Sequence, residues 1–185
     1  MFHKRFILRA FVLLALGTLY ATAAGATTMD AMEWLQKMKL AMQTLSYEGR
    51  FVYQHGDKLE SMSVVHLNQG DGIRERLLSL NGEAREILRD HETLTCIWPS
   101  SRQVVVDKAN SNQLSPLWIP DDIKRLSRFY EFRQLGEDRV ADRKSTIIEI
   151  APRDRFRYPM QVWLDSKNGL LLQSIVQGED GKILE

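Results

Sequence analysis

The fold is decided by residues 157–185, RYPMQVWLDSKNGLLLQSIVQGEDGKILE. Two runs of mixed apolar and polar residues are joined by a short segment rich in turn-forming residues, a pattern typical of consecutive antiparallel strands. In the first run Met160, Val162 and Leu164 alternate with other residues, so this strand can offer one apolar face to a core. A third run begins close to Glu185. Its brevity predicts that the strand continues in a longer protein.

The composition fits one globular domain. Of 185 residues, 44% are hydrophobic and 26% are charged, which is enough apolar material for a substantial core. The formal net charge is +1, and removal of the N-terminal segment described next leaves 22 basic against 24 acidic residues, a net charge of −2. A nucleic-acid-binding protein would show a marked basic excess, so nucleic acid is not an expected partner.

Residues 1–26 have the three parts of a secretory signal peptide. A basic start is followed by an apolar run, Ala10 to Leu19, and by small residues, Ala21 to Ala26. The alternative is an uncleaved membrane anchor, but the apolar run is shorter than the ~20 residues that span a bilayer. No cysteine lies directly after the apolar run, so the sequence lacks the lipid-attachment site of a bacterial lipoprotein signal. We expect an exported, periplasmic protein that does not itself span the membrane after cleavage.

A helix is predicted at the start of the mature chain. Asp30 and Glu33 have the spacing of a capping box. Apolar residues then recur every three or four positions and form one stripe over about four turns: Met32, Leu35, Met38, Met42 and Leu45. Two interpretations remain open. The stripe is either ordinary core over a sheet, or its flexible methionines line an adaptable hydrophobic cavity.

The remainder of the chain predicts a mainly β fold. Residues 46–107 contain strands and turns that pair most simply as an up-and-down meander, and Asn81-Gly82 is its strongest hairpin signal. A short second helix is predicted from Pro120 to about Ser127, and residues 137–143 are predicted to form a charged turn. A sheet this long usually curls. We therefore predict an incomplete antiparallel β-barrel of roughly ten strands, covered by one long N-terminal helix and a short second helix.

Catalytic and metal-binding motifs are absent from the sequence. His55, His66 and His91 are isolated, and none has a second ligand at a metal-binding spacing. Cys96, the only cysteine, lies on the apolar side of a strand and is expected to be a small buried hydrophobe rather than a reactive thiol. No nucleophile elbow or phosphate loop is found. The sequence predicts no cofactor, no metal and no enzymatic activity.

Three arginines alternate after Pro152, namely Arg153, Arg155 and Arg157. In an extended segment they would share one face and could bind carboxylates or phosphates in a bidentate manner. The alternative is a solvated loop in which they pair with local acids such as Asp154. We predict these arginines as a partner-binding surface.

Several strings together resemble the N-terminal large domain of the MucB/RseB family of periplasmic sigma-E regulatory proteins. Individually the strings are ordinary, but their order and spacing match from about Met29 to Glu185. They are Ser46–Tyr53, Arg74–Gly82, Pro152-Arg153-Asp154, Arg157-Tyr158, Trp163-Leu164-Asp165 and Gly169-Leu170. The resemblance implies that residues 27–185 form this domain, with a fold like the lipoprotein carriers LolA and LolB, and that the family's smaller C-terminal domain is missing after Glu185.

The resemblance also implies a function. Family members bind the periplasmic region of a membrane-bound anti-sigma factor (RseA/MucA-like) and protect it from proteolysis until lipid or lipopolysaccharide-type signals release it. The alternative is a periplasmic lipoprotein or lipid carrier of the LolA type, and a lipid or glycan enzyme is a third hypothesis. For either of the first two we predict a hydrophobic ligand cavity lined by Leu35, Met38, Met42, Phe51, Leu94, Trp98 and Val162.

Overall fold

The computed structural model describes residues 29–70, 72–108, 122–178 and 180–185. The predicted signal peptide and Pro120, the predicted start of the second helix, lie outside the described residues. Within the described ranges the chain forms two helices and ten strands: α1 Ala31–Thr44, β1 Tyr47–His55, β2 Lys58–Asn68, β3 Ile73–Ser79, β4 Glu86–Arg89, β5 Thr93–Trp98, β6 Gln103–Lys108, α2 Ile123–Leu126, β7 Tyr130–Val140, β8 Arg143–Pro152, β9 Met160–Asp165 and β10 Leu171–Val176.

The strands form two antiparallel sheets. The first contains six strands in chain order, β1-β2-β3-β4-β5-β6, and the second has the order β10-β9-β8-β7. The mainly β prediction, the meander and the strand number are confirmed. The described strands do not close into one barrel, and α2 is only a single turn.

The predicted helix begins where the capping box places it. The backbone N–H of Glu33 donates to Asp30 Oδ1 over 2.7 Å, and the N–H of Asp30 donates to Glu33 Oε2 over 2.8 Å. These bonds satisfy N–H groups that the first helical turn leaves without intrahelical partners. The buried face is Ala31, Trp34, Leu35, Met38 and Ala41. Met32, Met42 and Leu45 of the predicted stripe are only partly buried. The buried face of α1 is therefore centred closer to Trp34 than the stripe predicts.

The main core lies between α1 and the four-stranded sheet. Its members are apolar residues from α1, α2, β8 and β9, all less than a tenth exposed: Ala31, Trp34, Leu35, Met38, Ile123, Ile148, Ile150, Val162 and Leu164. Val162 and Leu164 are fully buried, as the alternation in β9 predicts, but Trp163 and Asp165 on the opposite face are buried too. Trp163 Nε1 donates to Asp138 Oδ2 over 3.0 Å, and Arg143 Nε donates to Asp165 Oδ2 over 2.6 Å.

Two turn predictions are confirmed in part. The hairpin at Asn81-Gly82 is present, since β3 and β4 pair antiparallel on either side of it, but six residues separate the strands and, of these two residues, only Gly82 has a positive φ. The Asn81 side chain forms two hydrogen bonds with the backbone of β2. Its Oδ1 accepts from the Ser61 N–H over 2.7 Å, and its Nδ2 donates to the Leu59 carbonyl over 3.1 Å. The charged turn predicted over residues 137–143 is shorter than expected: residues 137–140 belong to strand β7, Ala141 and Asp142 form the turn, and Arg143 begins β8.

The C-terminal residues contact both sheets. The predicted third strand is reduced to a single β-bridge between Gln177 and Ile183. The Leu184 N–H donates to the Val176 carbonyl over 2.8 Å, while the Leu184 carbonyl accepts from the Gly56 N–H over 3.4 Å. The segment 182–185 therefore connects β10 of one sheet to the β1–β2 turn of the other.

None of the helices in the described ranges is both long and apolar enough to cross a membrane.

Candidate functional site

One face of the six-stranded sheet is a candidate ligand surface. Directly paired residues of antiparallel strands share a face, so the register defines rows that cross the sheet. We call the inner face the one that carries the buried residues Met62, His66 and Leu77. Its first row is Tyr47, His66, Glu75, Arg89, Leu94 and Asp107, and its second row is Gly49, Val64, Leu77, Ile87, Cys96 and Val105. A third row contains Phe51, Met62, Ser79, Arg85, Trp98 and Gln103.

The inner face brings together three of the seven predicted cavity residues. Phe51 and Trp98 belong to its third row and Leu94 to its first. Phe51 remains 36% exposed, Leu94 and Trp98 are half-buried, and Val105 is 53% exposed. This face therefore offers apolar surface that the described part of the chain does not fully cover.

Three other predicted cavity residues lie elsewhere. Leu35, Met38 and Val162 are 2%, 0% and 0% exposed and belong to the main core beneath α1. Met42 lies at the boundary, because it packs against that core and its sulfur is 4.0 Å from the Tyr47 hydroxyl. The predicted set is thus divided between a closed core and an open face, and ligand binding by either group stays a prediction.

A buried ion cluster crosses the first row. His66 Nδ1 lies 2.6 Å from Glu75 Oε1, and Arg89 Nη1 donates to Glu75 Oε2 over 2.8 Å. The three side chains are 3%, 13% and 12% exposed. The Tyr47 ring stacks on the imidazole at 4.6 Å between centroids. Since a carboxylate only accepts hydrogen bonds, Nδ1 of His66 carries the proton.

The cluster perturbs the acidity of its members. Burial alone raises the pKa of Glu75, but the hydrogen bond from His66 and the charge of Arg89 outweigh it and lower the pKa below its ordinary value. Burial, aided by the nearby Glu75 charge, raises the pKa of Tyr47 to about 12. The carboxylate is therefore ionised and the phenol neutral at physiological pH, which stabilises one arrangement of β2, β3 and β4.

Sequence reasoning missed this cluster. His66, Glu75 and Arg89 are far apart along the chain, and no motif connects them. Only the strand register, in which Glu75 pairs with both neighbours, places them in one row.

The predicted arginine surface lies in the turn between β8 and β9. An extended segment is needed for the three arginines to share one face, and residues 153–157 are not extended. Arg153 is used internally, since its Nε donates to the Ser127 carbonyl over 3.1 Å. Arg157 forms an ion pair with Asp154 and places its guanidinium 4.4 Å from the centroid of the Phe129 ring. Binding of a partner by these arginines stays a prediction.

Arg155 differs from its two neighbours. Among the described residues it forms no ion pair, and its guanidinium lies 5.5 Å from the centroid of the Phe156 ring. Phe156 is 82% exposed and Tyr158 is 54% exposed. Beside them is a shallow cleft of about 390 Å³, lined by Arg155, Phe156, Arg157, Tyr158, Gly178, Asp180 and Leu184. Sequence reasoning identified the arginines here but missed the exposed aromatic residues.

The described residues contain no group of three or more potential metal ligands. Cys96 is a free thiol on the inner face and is half-buried instead of fully buried.

The chain resembles sigma-factor regulatory proteins in sequence. It is 32% identical over 175 residues to the sigma-E factor regulatory protein RseB of Haemophilus influenzae, covering 95% of this chain and 56% of that protein. It is 34% identical over 175 residues to the sigma factor AlgU regulatory protein MucB of Pseudomonas aeruginosa, covering 94% and 54%. The chain thus spans about half the length of the curated relatives it matches. Both relatives are named as regulatory proteins.

The fold comparison agrees. The solved complex of Pseudomonas aeruginosa MucA and MucB matches with a TM-score of 0.68 and 29% identity, covering 83% of this chain and 53% of that one. The family model described as the MucB/RseB N-terminal domain matches residues 30–185. Because that match extends over most of the sequence, the chain belongs to the MucB/RseB family.

Proposed function

We propose that the whole protein is a periplasmic negative regulator of the sigma-E envelope-stress response. In this proposal residues 1–26 are an export signal and residues 27–185 are the MucB/RseB N-terminal domain. The protein binds the periplasmic region of a membrane-bound, MucA-like anti-sigma factor and protects it from proteolysis. The observation that carries the proposal is the family match, together with relatives named as sigma-factor regulators and a solved MucA/MucB complex.

The proposal also includes an amphiphile-binding surface. The two sheets, joined through residues 182–185, would form an incomplete, LolA-like barrel whose inner face carries Phe51, Leu94 and Trp98. If a lipid or lipopolysaccharide-type ligand binds the partner-free protein more tightly than the complex, the ligand must weaken partner binding. Both affinities then change by the same coupling free energy.

The first experiment measures binding. The mature full-length protein is titrated with the periplasmic domain of its own anti-sigma factor by calorimetry, with and without a detergent-solubilised lipid. We expect binding that the lipid weakens, and slower protease cleavage of the anti-sigma domain in the complex. Absence of binding under both conditions would contradict the proposed regulator.

The second experiment tests the amphiphile surface at Gly49. This glycine belongs to the inner face, and no described atom lies within 4 Å of the position its Cβ would occupy. Gly49→Phe should therefore cover part of the inner face and weaken binding of a fluorescent fatty acid about tenfold or more. Arg50→Phe is the matched control, because its side chain projects from the opposite face of β1. Equal effects of the two substitutions would exclude the inner face as the ligand surface.

A lipid or lipoprotein carrier is the second candidate, favoured by the exposed apolar residues of the same face. A carrier accepts acylated protein from one membrane and delivers it to another, whereas a regulator does not. Transfer of an acylated protein between vesicles by the full-length protein would therefore favour the carrier.

A further inference from the structure

The turn between β8 and β9 displays a highly exposed aromatic side chain. Phe156 is the most exposed of the large hydrophobic residues in the described chain, at 82%. Leaving a phenylalanine in water forgoes the favourable burial of its ring, and such residues next to other exposed aromatics mark interaction surfaces. Tyr158 and Phe129, at 54% and 43% exposed, extend the apolar area.

The turn is held rigid by its own contacts. Asp154 Oδ1 accepts from the Phe156 N–H over 3.0 Å, and the same carboxylate pairs with Arg157. The Arg153 N–H donates to the Phe129 carbonyl over 2.8 Å, which fixes the turn to the end of the α2 region. A turn ordered before binding loses less conformational entropy when a partner arrives.

Charge in the cleft indicates the chemistry of the occupant. Arg157 is neutralised by Asp154, and Asp180 is paired with Lys182 over 3.2 Å. Arg155 has no ionic partner among the described residues, so its positive charge remains available. Aromatic residues, phenylalanine included, and arginine are enriched at protein–protein interfaces, and arginine is also enriched at their binding hot spots.

We propose that Phe156 and Arg155 form the binding hot spot for an acidic protein segment that presents a carboxylate next to an apolar pocket. Arg153 and Arg157 are positioning residues that hold the turn. This inference rests on the proposed function, because the occupant is a segment of the anti-sigma factor's periplasmic region. Phe156 enters the pocket of that segment, and Arg155 pairs with its carboxylate.

The test uses the mature full-length protein and the periplasmic domain of its anti-sigma factor. Phe156→Ala should weaken binding about 30-fold, the effect of a hot spot of about 2 kcal/mol. Arg155→Glu should weaken it at least about tenfold and reduce its dependence on salt, because the removed contact is ionic. Phe156→Trp should retain binding. Leu59→Ala, at a 57% exposed residue of β2, is the control and should bind as the wild type does.

Each outcome separates the two proposals. Failure of the wild type to bind the anti-sigma domain overturns the regulator, and this inference with it. If the wild type binds and the affinity of Phe156→Ala is within about threefold of the wild-type affinity, the inference is overturned and the proposed regulator is not. Two further measurements examine the other possible occupants of the turn. If Phe156→Ala loses binding to anionic phosphatidylglycerol vesicles while anti-sigma binding is unchanged, the turn binds a membrane. If the variant instead loses self-association in analytical ultracentrifugation, the turn binds a second copy of the chain, and either result would overturn the inference.

Discussion

Met38 provides the sharpest test of where α1 packs. Its side chain is completely buried in the core between α1 and the four-stranded sheet, together with Leu35 and Val162. Truncation of a buried methionine to alanine costs about 2 to 5 kcal/mol, and the complete burial here favours about 3 kcal/mol. For a domain of this size, 1 kcal/mol shifts the melting temperature by about 2 to 4 °C. Met38→Ala should therefore lower it by about 6 to 12 °C.

Leu40→Ala is the matched control. Leu40 belongs to the same helix but is 60% exposed, and alanine has at least as high a helix propensity as leucine. We expect a change of about 0.5 kcal/mol or less. Both variants can be compared by urea denaturation, in which equal slopes would show that the unfolded states are comparable.

The alternative interpretation of the methionine stripe predicts a different result. If Met38 lined an open ligand cavity, Met38→Ala would leave the unfolding free energy nearly unchanged and would alter lipid binding. That outcome would refute the packing of α1 described above. Met38→Asp should be more disruptive than Met38→Ala, since a carboxylate would have to be buried without a partner.

Substitutions at Gly169, with Gly56 as its control, and at Glu75 test two further contacts of the fold. Gly169→Ala should destabilise the protein by about 2 to 3 kcal/mol in urea denaturation, because the φ of Gly169 is +81° and an added Cβ would lie 2.7 Å from Lys37 Cγ. Gly56 is the control, since its φ is +56° but an added Cβ would meet open space. Gly56→Ala should therefore cost only the ~1 to 2 kcal/mol of the left-handed conformation. Equal losses would show that the contact with α1 contributes nothing. Glu75→Gln should destabilise the protein at pH 7, because it removes the buried negative charge that accepts hydrogen bonds from His66 and Arg89. Because the pKa of Glu75 is lower in the folded than in the unfolded state, its ionised carboxylate stabilises the folded protein at pH values above the unfolded-state pKa of about 4.3. This stabilisation is lost as the pH falls through the folded-state pKa. The difference between wild type and variant should therefore shrink below about pH 4, and a constant difference would exclude this linkage.

Local patterns predicted much of the architecture. The capping box at Asp30 and the apolar period after it locate α1, because both depend on residues within one or two turns. Alternation in β9 likewise identifies the face that enters the main core, although Trp163 and Asp165 on the opposite face are buried as well. These signals are local, and the structure preserves them.

Errors arise where tertiary contacts override local chemistry. Residues 137–140 carry enough charge to suggest a turn, yet they continue β7 at the edge of its sheet. An edge strand tolerates charged residues, because one side faces solvent. Asp138 even accepts a hydrogen bond from Trp163, a contact between residues on different strands that a turn prediction does not anticipate. The His66, Glu75 and Arg89 cluster depends in the same way on strand register.

The candidate site was predicted only in part for a related reason. The sequence indicates which face of each element is apolar, but not which sheet that face meets. α1 packs on β8 and β9, so Met38 and Val162 enter a closed core, while Phe51 and Trp98 remain on the inner face of the other sheet. The arginines were identified by their alternation, and the turn geometry then separates Arg155 from the other two.

The division of the predicted cavity residues limits how a ligand could act. The contact of α1 with the four-stranded sheet is fully buried, so opening it would expose several large apolar side chains at a cost of about 1.5 to 3 kcal/mol each. The contact of α1 with the six-stranded sheet lies at the end of the helix, where the Met42 sulfur is 4.0 Å from the Tyr47 hydroxyl and Asn68 Nδ2 donates to the carbonyls of Gln43 and Thr44 over 3.0 and 3.3 Å. If a lipid entered along the inner face, it would meet α1 where Met42 contacts Tyr47. Because Met42 also packs against the main core and Tyr47 stacks on His66, which is bonded to Glu75, a shift there would reach both that core and the ion cluster.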